Sequence, residues 1–187
     1  MLLTYPFAFF WYTFWCLTYM LDDDIEAAGT YTSLVFSTIT TVSWPILYTL
    51  NLNPMGLLKV AFGYFWWDLV ICLMFVDTFG WTMVFHAILS LLGSYVSFTY
   101  PQHALMFLTF EFSTIWLNLI RLKILRKYEW IFALIFAISF ILIRTCIGTY
   151  YTLVYIIPTT PLYVSLLACS LNCLNYYWTY RILRKFI

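Results

Sequence analysis

Four residues that can carry charge lie inside otherwise apolar stretches: Asp68, His86, Glu111 and Arg144. Two carboxylates, an imidazole and a guanidinium could move protons or hold a polar headgroup. A charge near the centre of a bilayer costs about 2.5–3.5 kcal/mol on insertion scales, so each of these residues is expected to face a partner rather than lipid. Arg144 can neutralise one carboxylate. The other is more cheaply carried as a neutral acid or set against protonated His86. A register-fixing structural network is the alternative to a functional site for Asp68, Glu111 and Arg144. Asn118 lies two helical turns after Glu111 and shares its face. For Asn172 and Asn175, hydrogen bonding between helices is the favoured reading.

Metal chemistry finds little support. Cys16, Cys72, Cys146, Cys169 and Cys173 form no CxxC pair, and two histidines with unclustered thiols do not make a zinc site. Cys169 and Cys173, at i and i+4, are expected to pack in the interior.

The elements that must position these groups follow from composition. The chain is 64% hydrophobic and 9% charged, against about half and roughly a quarter in soluble domains. With a mean hydropathy of +0.89, this is an integral membrane protein. The net charge of +1 is uninformative about nucleic acid, and with no basic arm or tail to grip a phosphate backbone no nucleic-acid partner is expected. The aromatic content of 23% suits membrane interfaces and lipid-facing bulk.

Seven segments are long and apolar enough to be read as helical spans: 5–21, 30–50, 57–76, 80–99, 102–121, 130–157 and 161–181. Short turn-like or charged stretches join them, including "DDDIEAAG", "NLNP", "VDTFG" and "TYPQH". The first span has neither a basic n-region nor a small-residue cleavage site, so it is expected to be a helix rather than a signal peptide. The expected fold is an all-α polytopic membrane protein. Residues 1–29 would form a peripheral first helix and acidic loop, and 30–187 a six-helix membrane domain.

Lys and Arg set the expected orientation. Seven spans place Arg121, Lys123, Arg126, Lys127, Arg181, Arg184 and Lys185 on one side, with only Lys59 opposite. The C-terminus is therefore expected on the cytosolic or matrix side. Asp22–Asp24 share that side, which does not disturb the rule because acids contribute little.

Every span after the first carries polar residues at helical spacing. They are Ser33, Ser37, Thr40 and Trp44; Tyr64 and Asp68; His86, Ser90, Gly93 and Ser97; Glu111, Thr114, Asn118 and Arg121; Arg144, Gly148 and Tyr151; and Asn172, Asn175 and Thr179. Lipid cannot satisfy these groups, so six helices are expected around a polar interior or cavity.

The order "GYFWWDL", "WTMVFHAILSL", "EFSTIWLNLI", "FILIRT" and "LNCLNYYW" resembles the TLC domain family, from about Thr30 to the C-terminus. That family includes ceramide synthases, a translocon-associated protein and small proteins tied to membrane lipid composition. The blocks "GYF..D" and "E.ST..LN" are most similar to the small, non-synthase branch. The resemblance implies six helices ringed around a lipid-accommodating cavity, often with one extra leading helix. Ceramide synthases carry two adjacent histidines in the fourth span. Here that pair reads His86–Ala87, and the synthase-type acidic stretch is absent. A second-span position often occupied by His in the small branch is Thr40.

The resemblance therefore implies a non-catalytic protein that binds a phospholipid or other membrane lipid and contributes to lipid composition. Asp68, His86, Glu111, Asn118, Arg144, Asn172 and Asn175 are the lipid or polar-cavity candidates. No metal or other cofactor is expected. The alternative is a structural accessory subunit of a larger membrane complex, such as a mitochondrial respiratory assembly, whose partners would be its other subunits. A ceramide-synthase-type acyltransferase is disfavoured, because one imidazole without a visible nucleophile or metal is a poor catalyst. A retinal-type receptor would need a lysine in the last span, and a transporter would need matching half-repeats. Location is left between the endoplasmic reticulum and the mitochondrial inner membrane. The Arg184–Lys185 tail resembles a dibasic retrieval signal, although ordinary positive flanking of a last span explains it more simply.

Overall fold

The computed structural model of the chain describes residues 5–124 and 126–185. The last two residues of the basic tail, Leu125 of the basic loop and residues 1–4 lie outside the described residues. The described residues are helical and contain no strand. The long helical stretches are α1 (Tyr5–Asp22), α2 (Ile25–Thr49), α3 (Met55–Met74), α4 (Trp81–Val96), α5 (Pro101–Arg121), α6 (Arg126–Thr159) and α7 (Leu162–Leu183). Each coincides with one of the apolar segments read from the sequence.

Local chemistry sets the helix ends. Asp24 caps α2, its Oδ1 accepting from the backbone N–H groups of Glu26 and Ala27 at 2.8 and 3.2 Å. Asp23, Asn51 and Lys123 turn the chain in the left-handed region, and Gly80 does so before α4 with φ of 82°. Pro101 opens α5, where its missing N–H has no helical partner to lose.

Three helices, α3, α5 and α6, are long and apolar enough to cross a membrane, and α4 is apolar but shorter at 16 residues. At about 1.5 Å per residue, the 20 residues of α3 match a hydrocarbon core of about 30 Å. In α2 the run of Ser and Thr lowers the apolarity, in α1 tyrosine and tryptophan do, and in α7 Asn172, Asn175 and Arg181 do so together with its tyrosines. The apolar helices support an integral membrane protein.

The helices pack in a definite order. α1 lies on α2 and α3; α2 lies on the second half of α5; α3 lies on α4 and more lightly on α2; α4 lies on α7; and α6 lies on both α5 and α7. One apolar core joins α1, α2 and α3. Trp11 is wholly buried there and donates its indole N–H to the Val60 carbonyl at 3.3 Å. Phe36 and Tyr64 stack in parallel beside it with centroids 3.7 Å apart. The backbones of α1 and α3 approach closely at Gly63, where a Cβ would stand 2.6 Å from the Phe7 Cβ. The opposite face of α1, with Phe9, Phe10, Leu17 and Met20, is exposed. A second apolar cluster joins α6 and α7 through Ile156, Val164 and Ala168.

The cysteines depart from expectation. All five are unpaired, but only Cys72 is buried; Cys173 and Cys146 are exposed, and Cys169 is half-buried. The helix face carrying Cys169 and Cys173 points away from the interior, because Ala168, Asn172 and Asn175 take the packed face of α7.

Candidate functional site

A cavity of about 110 Å³ lies among α3, α4, α5, α6 and α7. Leu58, Phe65, Leu89, Phe107, Ile156 and Leu167 supply much of its apolar wall. One side of α4 enters it through His86, Ser90, Gly93, Ser94 and Ser97. That is the four-residue α4 stripe expected from the sequence, with Ser94 added. Glu111 and Arg144 are the lining residues with formal charge.

These two residues face each other, Arg144 Nη2 standing 3.9 Å from Glu111 Oε1 with both side chains buried. At that separation the contact is an ion pair rather than a hydrogen bond. Shorter contacts engage the Nε and Nη2 of the guanidinium. Its Nε donates to the Ser113 hydroxyl at 2.9 Å and the Phe110 carbonyl at 3.2 Å, and Nη2 donates to Thr114 Oγ1 at 2.6 Å. The rings of Phe110 and Phe140 lie 5.6 and 5.3 Å from it, a range that favours a cation over an aromatic face. α5 supplies these polar partners because its helix tightens at Thr109–Phe110, between Pro101–Leu108 and Glu111–Arg121.

Arg144 itself sits in a π-helical run, Phe140–Ile147, and a second such run, Thr152–Ile156, follows. Single π turns often mark functional positions. This wider winding alters the expected α6 stripe. Arg144 and Gly148 are buried, whereas Tyr151 is half-buried and meets His103 Nδ1 through its hydroxyl at 2.9 Å.

His86 is half-buried, with its ring edge against Trp178 at 5.1 Å. Its Nε2 lies 3.5 Å from the Ser90 hydroxyl, a long contact, and its buried Nδ1 has no hydrogen-bond partner among the described residues.

The family model for the TLC domain matches residues 8–184. The chain belongs to the TLC domain family. The match starts inside α1. TLC domain-containing protein 4 C of Dictyostelium discoideum is 30% identical over 163 residues, covering 75% of this chain and 59% of that relative. The chain thus spans less than two thirds of the relative's length. No solved structure matches.

Among the residues expected at a polar cavity, this TLC domain brings together His86, Glu111 and Arg144. Asp68, Asn118, Asn172 and Asn175 do not line the cavity. Asp68 is half-buried on α3, and its Oδ1 lies 3.8 Å from the Cys72 thiol of its own helix, with no ion pair among the described residues. Asn118 donates to Ser33 Oγ at 3.0 Å and ties α5 to α2. Asn172 donates to Thr152 Oγ1 at 2.9 Å and ties α7 to α6. Asn175 is wholly buried, and neither of its amide atoms has a partner among the described residues. Arg121 falls at the exposed end of α5, although the stripe included it.

Ala87 follows His86 but is wholly buried against the cluster of Cys72 and Val84, away from the cavity lining. Sequence reasoning missed Tyr100 and His103, which also line the cavity. "TYPQH" reads as a connection, yet Pro101 at the first helical position was the signal that places His103 on the first turn of α5.

Proposed function

We propose that this TLC domain protein spans the membrane with seven helices, six of them (α2–α7) forming a ring of which α3–α7 line the cavity, and that it binds a membrane lipid there without catalysing a reaction. On this reading it contributes to membrane lipid composition or organisation. The carrying observation is the cavity itself, with apolar walls and formal charges limited to Glu111 and Arg144, which face each other. Such a surface suits a lipid chain with a small polar end.

The packing order supports the ring. α2 meets α5, α5 meets α6, α6 meets α7, α7 meets α4, α4 meets α3, and α3 returns to α2, while α1 rests outside on α2 and α3. The non-catalytic reading rests on the absent second histidine, since Ala87 offers no chemistry. The cluster of Arg121, Lys123, Arg126, Lys127, Arg181, Arg184 and Lys185 at one end supports a C-terminus facing the cytosol or matrix.

The test is native mass spectrometry of protein extracted gently from its own membrane, beside a Gly93→Phe variant. A Cβ at Gly93 meets nothing within 4 Å, so the larger side chain can enter the cavity without a clash at its root. Wild-type protein is expected to retain a defined lipid that the variant loses. Retention of the same lipid by both would place it on the outer surface and refute the cavity reading. Release only with many other subunits at fixed stoichiometry, and without a cavity lipid, would favour an accessory subunit.

A further inference from the structure

Charge at one end of the bundle is sorted by helix. α5 and α6 join through residues 122–125, and α6 and α7 join at the other end through residues 160–161, so α7 finishes at the same end as the α5–α6 connection. Arg121, Lys123, Arg126 and Lys127 stand at that connection, and Arg181, Arg184 and Lys185 at the end of α7; all are exposed. Glu129 is the one acid among them. The α1–α2 and α3–α4 connections reach the same end. They carry Asp22, Asp23, Asp24, Glu26 and Asp77, all exposed, and no Lys or Arg. Ordinary positive flanking of membrane spans does not account for this division, because that rule draws no line between neighbouring connections on one side.

Among the described residues, none of these cations forms an ion pair. The acids are also remote from α6, because in the packing order α5 stands between α6 and α2, and α7 between α6 and α4. Packed helix axes lie about 8–10 Å apart, and the Debye length is about 8 Å at physiological salt, so the acid flank is largely screened from the basic one. The basic flank also presents exposed aromatic side chains, Tyr128 and Trp130 on α6 and Tyr177 and Tyr180 on α7. Trp and Tyr settle at the level of lipid headgroups. Lys127 Nζ lies 5.7 Å from the Tyr128 ring and the Arg181 guanidinium 5.9 Å from the Tyr177 ring, which holds both cations near that level. The short 122–125 connection keeps its charges close to the helix ends instead of raising them toward a soluble partner. Four of the cations are arginines, whose planar fork matches a phosphate.

We propose that the α5–α6–α7 end binds the headgroups of anionic phospholipids from the surrounding leaflet and gathers them on that flank of the protein, while the α1–α4 flank repels them. The site is on the outer surface and independent of the cavity. It rests on the seven-span arrangement proposed above, which sets this end at the membrane surface.

The test reconstitutes the full-length protein in phosphatidylcholine vesicles with a trace of phosphatidylglycerol or phosphatidylcholine that carries a nitroxide on its acyl chain. Electron paramagnetic resonance then resolves the lipid immobilised against the protein. Phosphatidylglycerol is expected to be enriched over phosphatidylcholine about fivefold at low salt, the effect of about one basic residue at a membrane surface, and less than about twofold in 1 M salt. Arg126→Gln/Lys127→Gln/Arg184→Gln/Lys185→Gln is expected to reduce the low-salt enrichment to about twofold or less while immobilised phosphatidylcholine stays unchanged, which shows that the variant is still inserted. Asp22→Asn/Asp77→Asn is expected to keep the full enrichment. Immobilised phosphatidylcholine without enrichment of phosphatidylglycerol overturns this proposal and leaves the seven spans standing, as does enrichment that survives the fourfold variant. Enrichment that appears only in Asp22→Asn/Asp77→Asn shows the cations held by the acid flank of a second copy, and also overturns it. No immobilised lipid of either kind overturns the seven-span reading and this proposal together.

Discussion

Arg144 Nη2 stands 3.9 Å from Glu111 Oε1, and the two buried side chains join α6 to α5. The pair is asymmetric under mutation. Glu111→Gln leaves a guanidinium that stays protonated in proteins, whereas Arg144→Met leaves a carboxylate that can take up a proton. Breaking a buried pair from one side costs about 3–5 kcal/mol. Glu111→Gln is expected to approach that range and Arg144→Met to fall below it. The Glu111→Gln/Arg144→Met double variant should recover part of the loss. Thermal unfolding of the three variants in detergent checks the order; equal effects of the two single changes would contradict it.

The close approach of α1 and α3 gives a second expectation. At Gly63 a new Cβ would stand 2.9 Å from the backbone N of Ala8, and backbone cannot swing aside as a side-chain end can. Gly63→Ala should therefore lower the melting temperature by separating the helices, despite the gain of about 1 kcal/mol in helix propensity. Gly56→Ala, where a Cβ meets nothing within 4 Å, is the control and should be neutral or stabilising.

Asn118 reaches Ser33 across the α2–α5 contact. Side-chain hydrogen bonds between membrane helices average about 0.6 kcal/mol and reach about 1.7. Asn118→Ala should lose an amount in that range, and Ser33→Ala should add little once Asn118 is gone. A double-mutant cycle on unfolding measures the coupling, and full additivity would show that the contact carries no energy.

The proposed topology makes a geometric prediction. In a cysteine-free background, Arg126→Cys and Arg184→Cys should react with an impermeant maleimide from one face of sealed vesicles, and Asn53→Cys from the other. Labelling of all three from the same face would exclude the seven-span arrangement.

Helix positions are legible because turn-forming residues bound most of the apolar runs (Asp23, Asn51, Gly80, Pro101 and Pro161) and the basic stretch from Arg121 to Lys127 bounds the other. Individual burial of polar residues was partly legible. Helical spacing placed Ser33, Glu111, Asn118 and Arg144 on inward faces. It could not pair them, because a stripe specifies a face and leaves open which neighbouring helix meets it. Asp68 was thus grouped with Glu111, although its polar contact is with Cys72 on its own helix. The π-helical winding around Arg144 escaped for a different reason. A 3.6-residue period was assumed, and nothing in "FILIRT" announces a wider turn. His103 was lost to a turn reading of "TYPQH", in which the proline starts a helix.

The order of α5 and α6 along the chain has a consequence for biogenesis. Glu111 and Arg144 lie on consecutive helices, and every polar partner named for Arg144 lies on the earlier one. When α6 emerges during synthesis, the acid and hydroxyls that meet its guanidinium have already been made. The two helices can enter lipid as a hairpin of opposite, paired charges, and the arginine need never cross the apolar phase alone.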